Sequence, residues 1–265
     1  MKKNYILSLL LLSFISITSC SGGRENPKPK SKELLFSEES GFYDNDFLLN
    51  ISCDVKGEIY YSLDGSTPTN NSHKYENGIL INDRSSDEND ISNIRNISSI
   101  EQYFPSHKVD KCTILKAVCY YDDGTISDIY SKTYFVGLTN KKDYKNMATI
   151  SMYLDKEDLF NYDYGIYTLG RYYDEYPHEG YPETFPANYQ QKGKDWERRA
   201  TIDFFNKDKS FSFNQDIGIR IHGGWTRAFN QKSFNLYARK EYGNKKFKKA
   251  FFNDIPCKTI MLRSG

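Results

Sequence analysis

The chain has almost no net charge. Its 36 Lys and Arg stand against 35 Asp and Glu, leaving +1 over 265 residues. That balance excludes a generic binder held to nucleic acid by phosphate neutralisation, so no nucleic-acid partner is expected. Cysteine is scarce, five in all, and no two stand in a CxxC pair. The usual signature of a structural zinc site is therefore missing. His222 has no second His or Cys at metal-ligand spacing, so it reads as a turn histidine and no metal ligand is assigned. The string GxxxxGK[ST] is absent, which rules out a Walker P-loop. Tyr and Phe are plentiful, at 22 and 17 residues, and Asn, Ser and Asp are frequent. That mix suits a β-rich, extracytoplasmic protein. The length allows one large or two ordinary domains, each with its own core.

The N-terminus, 1-MKKNYILSLLLLSFISITSC-20, joins two lysines to an apolar run from Ile6 to Ile17. The run is too short to span a bilayer comfortably and reads as a processed secretion signal over residues 1–19. Ile17-Thr18-Ser19-Cys20 resembles the bacterial lipobox, which implies lipidation of Cys20 and anchoring to a membrane of the bacterial cell envelope by acyl chains. Residues 20–33, rich in Gly, Pro and charge, read as a solvated tether.

From Leu34 onward short alternating strands are broken by turns. Ile59, Tyr61 and Leu63 alternate with Tyr60 and Ser62 before Asp64-Gly65, and 113-TILKAVCYYDDGTISDIYSKTYFV-136 reads as two strands around an Asp-Asp-Gly turn. These argue for a small antiparallel β-sandwich over 34–137. Residues 83–104 between them read as a long surface excursion. Cys53 and Cys119 fall on core faces, either as a disulfide or as two buried thiols. The stretches 60-YYSLDGSTPT-69 and 112-CTILKAVCYYDDGTIS-127 resemble the chitobiase/β-hexosaminidase C-terminal-type Ig-like module. That resemblance implies location and architecture rather than catalysis. Its exposed tyrosines are the right chemistry for stacking on sugar rings or for packing a sandwich face.

Residues 138–148 read as a linker, and 149–265 as a second domain of α+β type. Its most unusual stretch is 217-IGIRIHGGWTRAFNQKSFNLYAR-239. Ile217, Ile219 and Ile221 face one way and Arg220 and His222 the other. Beyond the Gly-Gly segment, Phe234, Leu236 and Ala238 form an apolar face. Counting back in twos puts Lys232 on that face. A lysine there is paired, snorkelling to a rim, or reserved for an anion. Arg220, Arg227 and Lys232 could form a phosphate-binding assembly beside the glycines, or the strand could start after Lys232 and leave the cations in solvent. Asp203, Asp208 and Asp216 read as turn and strand-end residues. The segment 172-YYDEYPHEGYPETFP-186, with His178, reads as a loop insertion whose aromatics could meet sugar or protein.

The run 218-GIRIHGGWTRAFNQKSFNLYARKEYGNKKF-247, with 149-TISMYLDKEDLFNYDYGIY-167, 195-DWERRATIDFF-205 and 260-IMLRSG-265, resembles the spore-coat CotH kinase family, an atypical secreted branch of kinase-like proteins. The resemblance implies ATP and Mg²⁺ as cofactors, a protein Ser/Thr substrate, and nucleotide-side roles for Arg220, Arg227 and Lys232, with Lys232 on phosphate oxygens. The family's metal-holding acids lie in a continuation beyond 262-LRSG-265. The expectation is therefore an Ig-like β-sandwich followed by an incomplete kinase-like domain, with this chain an inactive fragment and its catalytic residues unassigned. The alternative is a non-catalytic surface binding or coat-assembly protein, with carbohydrate as one contact.

Overall fold

The computed structural model describes residues 32–100, 102–248, 251 and 255–264. The expected signal peptide, Cys20 and the tether up to residue 31 lie outside the described residues.

Nine strands form the first region: β1 (Leu34–Phe36), β2 (Gly41–Tyr43), β3 (Phe47–Leu49), β4 (Ile51–Cys53), β5 (Gly57–Ser62), β6 (His73–Lys74), β7 (Ile79–Ile81), β8 (Thr113–Tyr121) and β9 (Tyr130–Val136). They build a five-stranded sheet in the order β2-β9-β8-β5-β6 and two short pairs, β1-β4 and β3-β7. The pairings are antiparallel except β2 with β9. Alternation sends one side of β1, β4, β7 and most of β8 inward, and Leu49, Ile51, Ile81, Leu115, Ala117 and Tyr134 share a single buried cluster. Burying such side chains contributes about 1.5–3 kcal/mol each, which makes the inward face the organising force. Cys53 and Cys119 both reach this core, and no disulfide joins the four cysteines within the described residues.

The second region is a five-stranded meander: β10 (Thr149–Tyr153), β11 (Arg198–Phe205), β12 (Phe211–His222), β13 (Ser233–Tyr237) and β14 (Thr259–Leu262). Each strand pairs antiparallel with the next. Two short helices, α1 (Lys156–Phe160) and α2 (Gly170–Glu175), sit between β10 and β11. Asp155 caps α1 by accepting from the Glu157 amide at 3.1 Å, which satisfies a helix-end donor that would otherwise need water. Ile217, Ile219 and Ile221 are buried, as their alternation predicts, and pack with Ile202, Leu236 and Ala238.

The seam is closely packed. Within residues 138–148, expected as a linker, Leu138 is fully buried, and Tyr144 packs with Phe42, Phe135 and Phe205. The described residues of the excursion 83–104 are exposed or half-buried except at Ser98, and its C-terminal part rests on the second region. The Asn96 carbonyl accepts from the Leu169 amide at 2.7 Å, and Tyr189 donates to the Ser99 hydroxyl at 2.9 Å. The Asn96 and Ile97 carbonyls are thus satisfied by the second region rather than by water. Asp203, expected at a strand end or turn, is fully buried in mid-strand on β11. It accepts from Thr133 at 2.6 Å and from Asn214 at 2.7 Å, tying β9 to β11 and β12. Burial pushes its carboxyl above the ordinary range, with the Thr133 and Asn214 hydrogen bonds working against it.

Candidate functional site

Strands β12 and β13 stop pairing at His222 and Ser233. The ten residues between them form an open loop with one 3-10 turn at Trp225–Ala228, not a tight glycine turn. Arg227 folds back under this loop and is 7% exposed. Its guanidinium donates to the carbonyls of Gly223 (2.7 Å), Tyr189 (3.0 Å), Gln191 (2.9 Å) and Ile221 (2.8 Å).

Lys232 lies one residue before β13, so the strand count does not reach it; it is nonetheless buried, 5% exposed, rather than left in solvent. Its ammonium donates to the carbonyls of Ile97 (2.6 Å), Arg227 (2.7 Å) and Phe229 (2.7 Å). It also lies 4.1 Å from the Tyr189 ring centre and 5.0 Å from that of Tyr167. Burial pulls its pKa down to about 7. The three carbonyls and two ring faces oppose that pull, because only the charged form has three hydrogens for three acceptors. Within the described residues no carboxylate forms an ion pair with it.

Arg220 leaves this pair and turns to a different centre on the other face of β12. Its Nε is 3.6 Å from Glu197, and its guanidinium lies over the Tyr237 ring at 4.3 Å. Glu197 has a fully buried side chain. Arg239 grips it with two bonds, 2.8 and 2.9 Å, while Lys194 (2.7 Å) and Tyr242 (3.0 Å) add two more. Burial alone would raise the Glu197 carboxyl, but Arg239, Lys194 and Tyr242 outweigh it and hold it below the usual range. Gly218 makes this approach possible: a Cβ there would stand 2.3 Å from Glu197 Oε1 and 2.6 Å from the Tyr242 ring.

The three expected cations therefore divide into two groups. Arg227 and Lys232 clasp one loop system from inside, and Arg220 belongs to the Glu197 cluster. That cluster was missed in the sequence, although Glu197, immediately before β11, and Gly218 on β12 were both visible. His178 is held by the Tyr173 carbonyl at 2.6 Å and stacks on Phe185. Asp208 accepts within its own turn from Ser210, and Asp216 pairs with Arg199 and Thr201.

ATP with Mg²⁺ can be tested against this geometry. The donors of Arg227 and Lys232 are spent on carbonyls 2.6–3.0 Å away. Within the described residues no group of three His, Cys, Asp or Glu gathers as a metal site. In this arrangement the residues do not fit a triphosphate.

No curated protein and no solved structure matches the chain. Residues 49–134 match the family model described as Fn3 associated, and this part of the chain is an Ig/fibronectin-like associated module.

Proposed function

We propose that the protein is a lipid-anchored surface protein of the bacterial envelope that works, over the residues described, as a binding scaffold rather than as a phosphotransferase. In this reading the first module is the chitobiase/β-hexosaminidase C-terminal type of Ig-like accessory. The second region is the sheet-forming part of a CotH-type kinase-like domain. The observation that supports it is the internal use of the hairpin cations: Arg227 on four carbonyls and Lys232 on three. Donors already paired at good geometry have little to gain from a phosphate that must first displace those bonds.

A second reading is catalytic: a CotH-type kinase that transfers phosphate from ATP to protein Ser or Thr. Lys232 is the feature that favours it. A buried ammonium held only by neutral acceptors is an expensive arrangement that an anion would relieve. Equilibrium binding of labelled ATP with Mg²⁺ to the full chain separates the two. The scaffold reading expects no saturable binding below about 1 mM, a threshold corresponding to about −4 kcal/mol. Binding that saturates at micromolar ATP and is lost in Lys232→Ala would replace it with the catalytic reading.

A further inference from the structure

Between the first module and the second sheet lies a cleft of about 910 Å³. That is near the upper end of ordinary ligand sites, and clefts at module junctions are where such sites concentrate. Lys116 enters it from β8. Its neighbours Leu115 and Ala117 are fully buried in the module core, so alternation sends Lys116 the other way. Asp155, Arg199 and Asp216 line the cleft from the second region, with Thr67 and Ser131 from the module.

Lys116 is the odd member. Its ammonium lies 5.6 Å from the Tyr153 ring centre, yet within the described residues it makes no ion pair. Burial lowers its pKa, while Asp155, Asp216 and Asp64 pull it back up from a distance. Each of these carboxylates is engaged elsewhere: Asp155 caps α1, Asp216 holds Arg199 (2.5 Å) and Thr201 (2.7 Å), and Asp64 holds Ser66. A half-buried donor therefore faces acceptors across a gap wider than a salt bridge. A hydroxyl fits such a gap, because it accepts from the ammonium and donates to a carboxylate. An anion entering would meet Asp155 and Asp216, and a cation would meet Lys116 and Arg199. The walls thus select an uncharged ligand rich in hydroxyls.

We propose that this cleft binds a neutral carbohydrate, with Lys116 donating to one ring hydroxyl and Asp155 and Asp216 accepting from its neighbours. The assignment deepens the scaffold reading and rests on it only for placing the protein outside the cytoplasm. The ATP titration above succeeds or fails independently of it.

The test uses the full chain in a non-glycosidic detergent, titrated separately with cellohexaose, chitohexaose and maltohexaose. Binding is followed by amide shifts and by the rate of reductive methylation of Lys116. At least one hexasaccharide is expected to give saturable shifts around Ser131 and Asp216 and to protect Lys116. Lys116→Met should weaken that binding roughly tenfold, the loss of one hydrogen bond to a charged donor. Asp155→Asn keeps an α1 cap and should weaken it by a similar factor. Should either variant misfold, protection of Lys116 in the unaltered chain decides the matter. Three results overturn the proposal: no protection by any of the three sugars, shifts confined to Tyr181 and Trp225, two exposed rings 5.6 Å apart, or stronger protection by inositol hexakisphosphate than by any sugar.

Discussion

Replacing Lys232 with methionine tests the clasp directly, because it keeps most of the side-chain volume and removes the charge. Three carbonyls, the buried one of Arg227 and the part-buried ones of Ile97 and Phe229, then lose their donor. Each costs about 1–3 kcal/mol if nothing replaces it. Relief of the ammonium's own burial offsets part of this, and local relaxation offsets more. The expected net loss is about 2–4 kcal/mol, a large share of the roughly 5–15 kcal/mol that stabilises a typical domain. Urea unfolding should show a lower midpoint at unchanged slope. Hydrogen exchange should also accelerate at residues 96–99, whose backbone the lysine holds. Lys240→Met, at an exposed position, should stay within about 0.5 kcal/mol. A Lys232→Met protein as stable as the parent, with exchange at 96–99 unchanged, would refute the clasp. The lysine would then be available for a ligand.

Glu197→Gln should cost about 1–3 kcal/mol at neutral pH, discounted because Lys194 and Arg239 are partly exposed. The folded Glu197 pKa is depressed, so its contribution is present above the ordinary 4.5 and lost as pH falls through the folded value; the gap between parent and variant in urea melts should shrink below about pH 4.5. Asp203 has the opposite sign: its pKa is raised, so the parent should gain stability relative to Asp203→Asn as pH falls from neutral toward 3.8. Asp203→Ala, which takes from Thr133 and Asn214 their shortest acceptor and leaves them the longer bonds to Ser151, Tyr153 and Ser131, should lose about 1–3 kcal/mol in the same assay. Gly57→Ala would place a Cβ 2.6 Å from the Tyr120 carbonyl and 2.9 Å from Tyr121 Cα; neighbouring backbone cannot yield, and a thermal melt should show a loss of at least about 2 kcal/mol. Cys20→Ser should abolish fatty-acid labelling of the chain and leave its precursor uncleaved; labelling that persists would remove the lipid anchor from the account.

Local rules determined much of this protein. Period-two alternation placed β5, β8, β12 and β13, because a strand with one buried face must show that period in its residues. The same count pointed Lys232 inward, although Lys232 lies one residue before β13, and Asp155 at the start of a helical turn marked α1. What Lys232 touches was a different matter. Its partner Ile97 lies 135 positions away in a polar stretch with no periodicity, and nothing local distinguishes a carbonyl that will meet an ammonium from one that will meet water. Asp203 shows the same limit: a carboxylate in a strand reads as a solvent-facing residue until a second sheet is packed over it. Glu197 gathers Lys194, Arg220, Arg239 and Tyr242 from three chain segments, and Gly218 matters only because they converge there. Burial patterns are written residue by residue, so the sequence alone determined strands and faces. Long-range polar partners depend on how those faces are brought together, so the tertiary structure decided that the hairpin's cations hold the protein's own backbone.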